Sequence, residues 1–464
     1  MAMNWETLYT SQRTGDKGPK SANPERARTS FVRDYDRIIF SSSFRRLQNK
    51  TQVFPLPGAV FVHNRLTHSL EVASVGRSLG KAVGECIANK YPDTSKEFQE
   101  FYRHELPYVI ASACLAHDIG NPPFGHSGEE AIRNFFLQLE GKNRKQYESL
   151  ISENKRKDFE LFEGNANAFR ILTHSFNEEE SSYKLTYTTL ASIVKYPCAS
   201  YEGFNKSSGL IATKKSGFFA TEQPTYESIA LSLGIPRQSE FHTVYARHPF
   251  VFLTEAADDI CYRVIDLEDA HRLKIIDLKT FENLFLPFFD EETGYNSRDS
   301  VVKKLNQIRD DNQKVQFIRA KWIGLMIQHI RNAFMDAETA LLEGTLNQDL
   351  LSCIPKKEQE LIKAINTFSV AHIYNYRTVI EIELAGYNII GGLLQAFVEA
   401  VMYPEQNRSQ KLLQLIPAQF PITRNTHMLY ENIQSVVDFI SGMTDLYAID
   451  LFRKITGMSI PEIR

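Results

Sequence analysis

Residues 115–130 read LAHDIGNPPFGHSGEE. The apolar run before them, PYVIASACLAHD, has the length and pattern of a helix and ends on His117-Asp118. No helix crosses Asn121-Pro122-Pro123, because proline lacks the backbone N–H and restrains the residue before it. A second helix is predicted beyond the break, carrying His126 and Glu129 at i, i+3, with Glu130 beside them. Two helices therefore meet at a break crowded with imidazoles and carboxylates.

Working outward, apolar residues recur at three- and four-residue steps over 65–90, 106–118, 159–174, 247–271, 314–344, 376–402 and 428–456, which predicts helices throughout. Strand-like alternation is scarce, with candidates only near 50–62 and 210–220, and no solenoid-length repeat is present. The expected fold class is all-α with at most short β-hairpins. Residues 10–30 are polar and rich in glycine, proline and basic side chains, as an exposed arm would be. Residues 141–158 form a charged run suited to a solvated face. Residues 197–240, rich in Gly, Ser, Thr, Lys and Pro, read as a long loop insertion.

The 464 residues are 43% hydrophobic and 23% charged, an ordinary globular mixture. A net charge of -3 argues against nonspecific duplex nucleic-acid binding. Five scattered cysteines without a CxxC pair exclude a disulfide framework and a thiolate zinc site, and fit a reducing cytoplasm. No charged-then-apolar signal pattern opens the chain, and the most apolar run, 384–402, contains Asn388, Gln395 and Glu399, as a buried core helix rather than a membrane span would.

Further chemistry-bearing residues lie on either side of the break. His68 stands in HNRLTHSLEV, and Asp258, Tyr262 and Asp266 fall at i, i+4 and i+8 on one face of a predicted helix. Imidazole with carboxylate is a ligand set for Mn²⁺, Fe²⁺ or Zn²⁺, or for Mg²⁺ if phosphates add oxygens. Charged groups inside FLTEAADDICY are costly to bury without such a partner.

His68, His117-Asp118 and Asp258, in that order, resemble the ligand pattern of the HD-domain metal-dependent phosphohydrolase superfamily. FRRLQNKTQVFP (44–55), NRLTHSLEV (64–72), FEGNANAFRIL (162–172), IVKYP (193–197), KSGFFATE (215–222), EAADDICYRVIDLEDA (255–270), IEIELAGY (380–387) and SGMTDLYA (441–448) extend the likeness to the deoxyguanosine triphosphate triphosphohydrolase family. The resemblance implies an N-terminal arm over 1–27, an HD-type core over 28–275 and a helical region over 276–464 that completes the site and builds oligomer contacts. It implies His68, His117, Asp118 and Asp258 as metal ligands, with Mn²⁺ foremost, and His126 with Glu129 as the catalytic pair, a carboxylate orienting an imidazole. Arg65, one helix turn before His68, Lys195 and Lys215 resemble triphosphate contacts, with Arg45 and Arg46 as further candidates. Tyr262 resembles the ring that packs against the deoxyribose, Asp266 and Gln48 its 3′-OH partners, and Asn165 another site-lining residue. Leu446 departs from the pattern, since relatives often carry a basic residue there.

The implied activity is hydrolysis of dGTP, and of other dNTPs, to the deoxynucleoside and inorganic triphosphate by water attack at the α-phosphorus. A homo-oligomer, hexameric by analogy, and a single-stranded DNA or dNTP effector are implied as well. Two rivals stand against this: another HD-type phosphodiesterase or 5′-nucleotidase, and a non-catalytic nucleotide- or DNA-binding scaffold.

Overall fold

The computed structural model describes residues 2–16, 28–54, 62–174, 183–240, 242–289 and 297–459. Its principal helices are α1 (Arg65–Lys90), α2 (Leu106–Ala116), α3 (Gly125–Leu137), α4 (Gly164–Thr173), α5 (Pro249–Arg272), α6 (Asp311–Asp336), α7 (Arg377–Met402), α8 (Leu429–Ser441) and α9 (Asp445–Thr456). The fold is all-α. Among the described residues β-structure is confined to isolated bridges, such as Thr51 with Asn64 and Ala199 with Phe218.

Local sequence explains the helix ends nearest the site. Asn64 starts α1 with a capping box, its side chain accepting from Thr67 N while Thr67 Oγ1 accepts from Asn64 N. Helix α1 then approaches α2 along Gly76, Gly80 and Gly84. A Cβ at these positions would meet Cys114 Sγ at 2.4 Å, Pro107 Cα at 3.0 Å and Tyr102 O at 1.9 Å. Only a side-chain-free face permits that approach, and it sets the rings of His68 and His117 5.4 Å apart. Helix α5 packs on both.

The buried apolar residues form two large clusters. One runs from Met3 to Val379 and contains α1, α2, α5 and α6. The other joins α3 and Tyr147–Ala166 to α7, α8 and α9. The division cuts across the expected boundary at 275/276, with the break at 117–125 lying where the clusters meet.

Three expectations need correction. The start of the expected arm is built in: Met3, Trp5 and Leu8 are buried, and Arg13 pairs with Asp34 at 2.6 Å. The arm's remainder, 17–27, lies outside the described residues. The 197–240 segment is no exposed loop, because short helical turns and a helix at Gln223–Ser232 satisfy its backbone and bury Ser200, Phe218, Phe219 and Tyr226. The predicted 428–456 helix breaks at Gly442–Thr444 into α8 and α9. Among the described residues, α7 alone is long and apolar enough to cross a membrane, and 50% of its apolar window is buried.

Candidate active site

Helices α1, α2 and α5 bring His68, His117 and Asp258 together. One ligand atom from each lies within 4.8 Å of the others. His68 Nε2 is 3.1 Å and His117 Nε2 3.4 Å from Asp258 Oδ1. His117 Nδ1 lies 2.6 Å from Cys114 O, so Nδ1 donates to that carbonyl and Nε2 is the nitrogen directed at the carboxylate. That Nε2 is buried and has no hydrogen-bond partner among the described residues. Without a positive charge, from a proton or a metal ion, the converging ring nitrogens and carboxylate oxygens would repel one another, and two imidazoles with a carboxylate are a donor set that fits a divalent metal.

Asp118 borders this centre. Its Oδ1 is 3.6 Å from His117 Nε2, while Arg65 Nη1 reaches Oδ2 at 2.7 Å and Asn121 Nδ2 reaches Oδ1 at 2.6 Å. Burial pushes this carboxyl up, but Arg65 and then the two imidazoles outweigh burial and hold it at about 2. Asp258 behaves alike: burial opposes ionisation, yet Lys195 and His117 keep it well below the ordinary range. Lys195 Nζ sits 3.0 Å from Asp258 Oδ2, so this cation contacts the ligand set itself.

Beyond the Pro-Pro turn the backbone is left-handed at Phe124 (φ 61°) and Gly125 (φ 58°), which redirects the chain into α3. A Cβ on Gly125 would meet Arg65 Nη2 at 2.6 Å. The turn is clamped from α9: Asp445 accepts from Phe124 N at 3.1 Å and from Thr51 N at 2.8 Å. Lys50 Nζ adds bonds to Asn121 O at 2.5 Å and Ser441 O at 2.8 Å.

His126 presents its ring to solvent, 84% exposed, over a Glu129 that is 2% exposed. Nδ1 and Oε2 are 3.1 Å apart, and Glu129 Oε1 accepts from Gly164 N at 2.8 Å. Burial raises the Glu129 carboxyl, but His126, Lys215 and the Gly164 N–H bring it below its usual value. A Cβ at Gly164 would meet Asn121 Oδ1 at 2.3 Å and Glu129 Oε1 at 2.7 Å, so glycine is what lets the carboxylate reach the start of α4.

The remaining expected residues divide. Lys215 and Asn165 both donate to Glu163 Oε1 at 2.8 Å, a buried carboxylate inside FEGNANAFRIL to which the sequence assigned no role. Burial and then Glu129 raise the Glu163 pKa. Tyr262 is half-buried and stacks on Arg263 at 4.6 Å. Asp266 is buried and accepts from Tyr374 OH at 2.7 Å, with burial pushing its pKa up to about 7. Tyr374 and Asp445 come from the C-terminal region, and nothing in their local sequence announces the contact. Gln48 is exposed on the short turn Leu47–Asn49, whereas Gln52 Oε1 is buried; among the described residues the first makes no hydrogen bond to the cluster and the second has no partner. Arg46 reaches Gly442 O at 3.2 Å, Arg45 is exposed, and Leu446 is 60% exposed on α9.

The HD domain family matches residues 65–197, and the phosphohydrolase-associated domain matches 353–454. Over 99% of its length the chain is 37% identical to the whole of a deoxyguanosinetriphosphate triphosphohydrolase-like protein of Pseudomonas aeruginosa. The chain belongs to the deoxyguanosine triphosphate triphosphohydrolase family of HD-domain phosphohydrolases. A triphosphohydrolase-like relative from Synechocystis is 35% identical over 99% of this chain and 100% of its own length. A deoxyguanosinetriphosphate triphosphohydrolase of Yersinia enterocolitica is 31% identical over 94% of this chain and 96% of its own. Membership of this HD family makes the chain a hydrolase and implies a bound divalent metal, for which His68, His117 and Asp258 form the candidate site.

Proposed function

We propose that the protein hydrolyses deoxynucleoside triphosphates, dGTP foremost, to the deoxynucleoside and inorganic triphosphate. The observation that carries this reading is the pairing of two constellations across one turn: the His68–His117–Asp258 cluster on one side and His126 over Glu129 on the other. The named activity of the full-length Yersinia relative supports the choice of substrate.

His68, His117 and Asp258, with Asp118 beside them, would hold the metal, Mn²⁺ foremost. When bound, it would polarise the α-phosphate and lower the pKa of water. The chain's own groups do the rest. Arg65 and Lys195 place positive charge beside the centre, where a triphosphate needs it, and Lys215 extends that charge toward Glu129. His126 handles the proton that water loses and the 5′-oxygen gains, while Glu129 keeps its Nδ1 edge turned inward. The half-buried Tyr262 ring and the Asp266–Tyr374 pair offer a wall and a hydrogen-bonding edge for the deoxyribose. The exposed apolar residues Tyr376, Ile380 and Leu384, spaced four apart, support assembly of several copies.

The test incubates purified protein with Mn²⁺ and each dNTP or GTP and resolves products by ion exchange. The expected result is deoxynucleoside with intact triphosphate, lost in His126→Ala. Monophosphate with pyrophosphate would refute the reading and favour another HD-type reaction. Nucleotide binding without turnover, unchanged by His126→Ala, would favour an idle scaffold. Turnover only in mixtures or with single-stranded DNA added would assign an effector site.

A further inference from the structure

Among segments 210–212, 236–238, 246–247 and 340–347 lies a cavity of about 820 Å³. That volume falls within the roughly 300–1,000 Å³ of small-molecule sites. None of the metal-cluster residues lines it. Its walls are largely apolar, with Leu210, Phe252, Leu341 and Leu346 among them, and two arginines, Arg237 and Arg247, line it as well.

Arg247 is the group that asks for a ligand. Its side chain is 2% exposed and lies 4.1 Å from the centroid of the Phe252 ring. One nitrogen, Nη2, donates to Glu255 Oε2 at 2.6 Å. The other two, Nε and Nη1, are buried and have no acceptor among the described residues. A guanidinium offers five N–H donors, and buried donors without acceptors are normally avoided. An oxyanion entering the cavity would supply the acceptor, and an apolar body attached to it would cover Phe252 and the leucines.

Charge narrows the class. Glu255 already balances Arg247, which leaves Arg237 as the second lining cation, with Glu343 exposed at the cavity's edge, so the site has too little positive charge for a polyphosphate. It suits a head with a single negative charge on a body that contributes the burial. We propose that this cavity binds a small organic monoanion, a carboxylate or sulfonate on a flat apolar body, separately from the nucleotide chemistry at the metal cluster.

The test uses the full-length, Mn²⁺-loaded protein and 1-anilinonaphthalene-8-sulfonate, followed by fluorescence and calorimetry. One saturable site per chain is expected, with benzoate displacing the probe and inorganic phosphate, which lacks a body, failing to. N-phenyl-1-naphthylamine, which lacks the sulfonate, should bind at least tenfold more weakly. Ala340 lines the cavity, and Ala340→Phe should fill it and weaken binding at least tenfold without touching either arginine. Arg247→Met should do the same by removing the donors. If Arg247→Met fails to fold, Ala340→Phe with a wild-type melting curve decides. No saturable binding to the wild type, or equal binding to folded Ala340→Phe, would overturn the proposal.

Discussion

Replacing Glu129 by glutamine isolates what the buried carboxylate does for the exposed imidazole. The amide oxygen can still accept from Gly164 N, now at 2.8 Å, so the anchor to α4 survives. What disappears is the negative charge 3.1 Å from His126 Nδ1. A desolvated charge-assisted hydrogen bond contributes about 1.5–3 kcal/mol. Here the carboxylate is 2% exposed but the imidazole 84% exposed, and water on that side screens the pair. A value discounted for that screening, about 1–2 kcal/mol, is therefore appropriate. At 1.36 kcal/mol per decade this lowers kcat roughly 5- to 30-fold. The substrate's KM should change little, because Glu129 acts through His126 and is shielded from substrate by burial. Removing His126 itself should cost about 10²- to 10⁴-fold, the usual range for a lost proton-transfer group. Steady-state kinetics on Glu129→Gln, His126→Ala and the double variant complete the cycle. Residues that act as one unit are not additive, so the double variant should be no slower than His126→Ala. A further 5- to 30-fold loss in the double variant would show that Glu129 does not work through His126 and would refute the assigned pairing.

Three other outcomes follow from the geometry. His117→Ala removes the unpartnered Nε2 and should lower Mn²⁺ content well below one ion per chain, by elemental analysis after desalting, with activity falling at least a hundredfold. Gly164→Ala drives a Cβ into Asn121 and Glu129; overpacking of this kind costs about 1–3 kcal/mol, to be read from the urea midpoint, and kcat should fall by more than the folded fraction does. Asp158 is fully buried, accepts from Ala220 N and Tyr430 OH, and burial lifts its pKa to about 7. The folded chain then holds a proton that the unfolded chain, near the ordinary value of about 4, has released. Stability should fall as pH rises from about 4 to about 7 on this account, and Asp158→Asn should flatten that slope in urea titrations at several pH values.

What could be read in the sequence and what could not follow from the range of each interaction. His117, Asp118 and His126 stood out because polar groups interrupt an apolar run beside a proline pair, all within one short window. The start of α1 was readable for the same reason, since Asn64 and Thr67 cap it locally. Helix α5 showed Asp258 because an unpaired charge in an apolar helix is conspicuous. By contrast, Glu163 looks like any helix-flanking carboxylate until Lys215 and Asn165 close on it, and Tyr374 meets Asp266 across 108 positions. Gln48 and Gln52 lie one turn apart in a polar stretch, and only the fold turns one outward and buries the other's oxygen. The 197–240 segment misled because its composition is that of a loop. Asp158, which caps Ala220 N, and its own short turns satisfy that backbone internally, so it could be buried.

The clamp at Asp445 sets a condition on how the protein is made. Phe124 N and Thr51 N depend on a carboxylate near the end of the 464-residue chain. During synthesis, when domains form from the N-terminus onward, α1, α2 and α5 can gather His68, His117 and Asp258 long before α9 leaves the ribosome. The turn that aims His126 stays untied until then. A metal-binding core would thus precede a catalytically competent one, and nascent chains would acquire their ion before they could consume nucleotide.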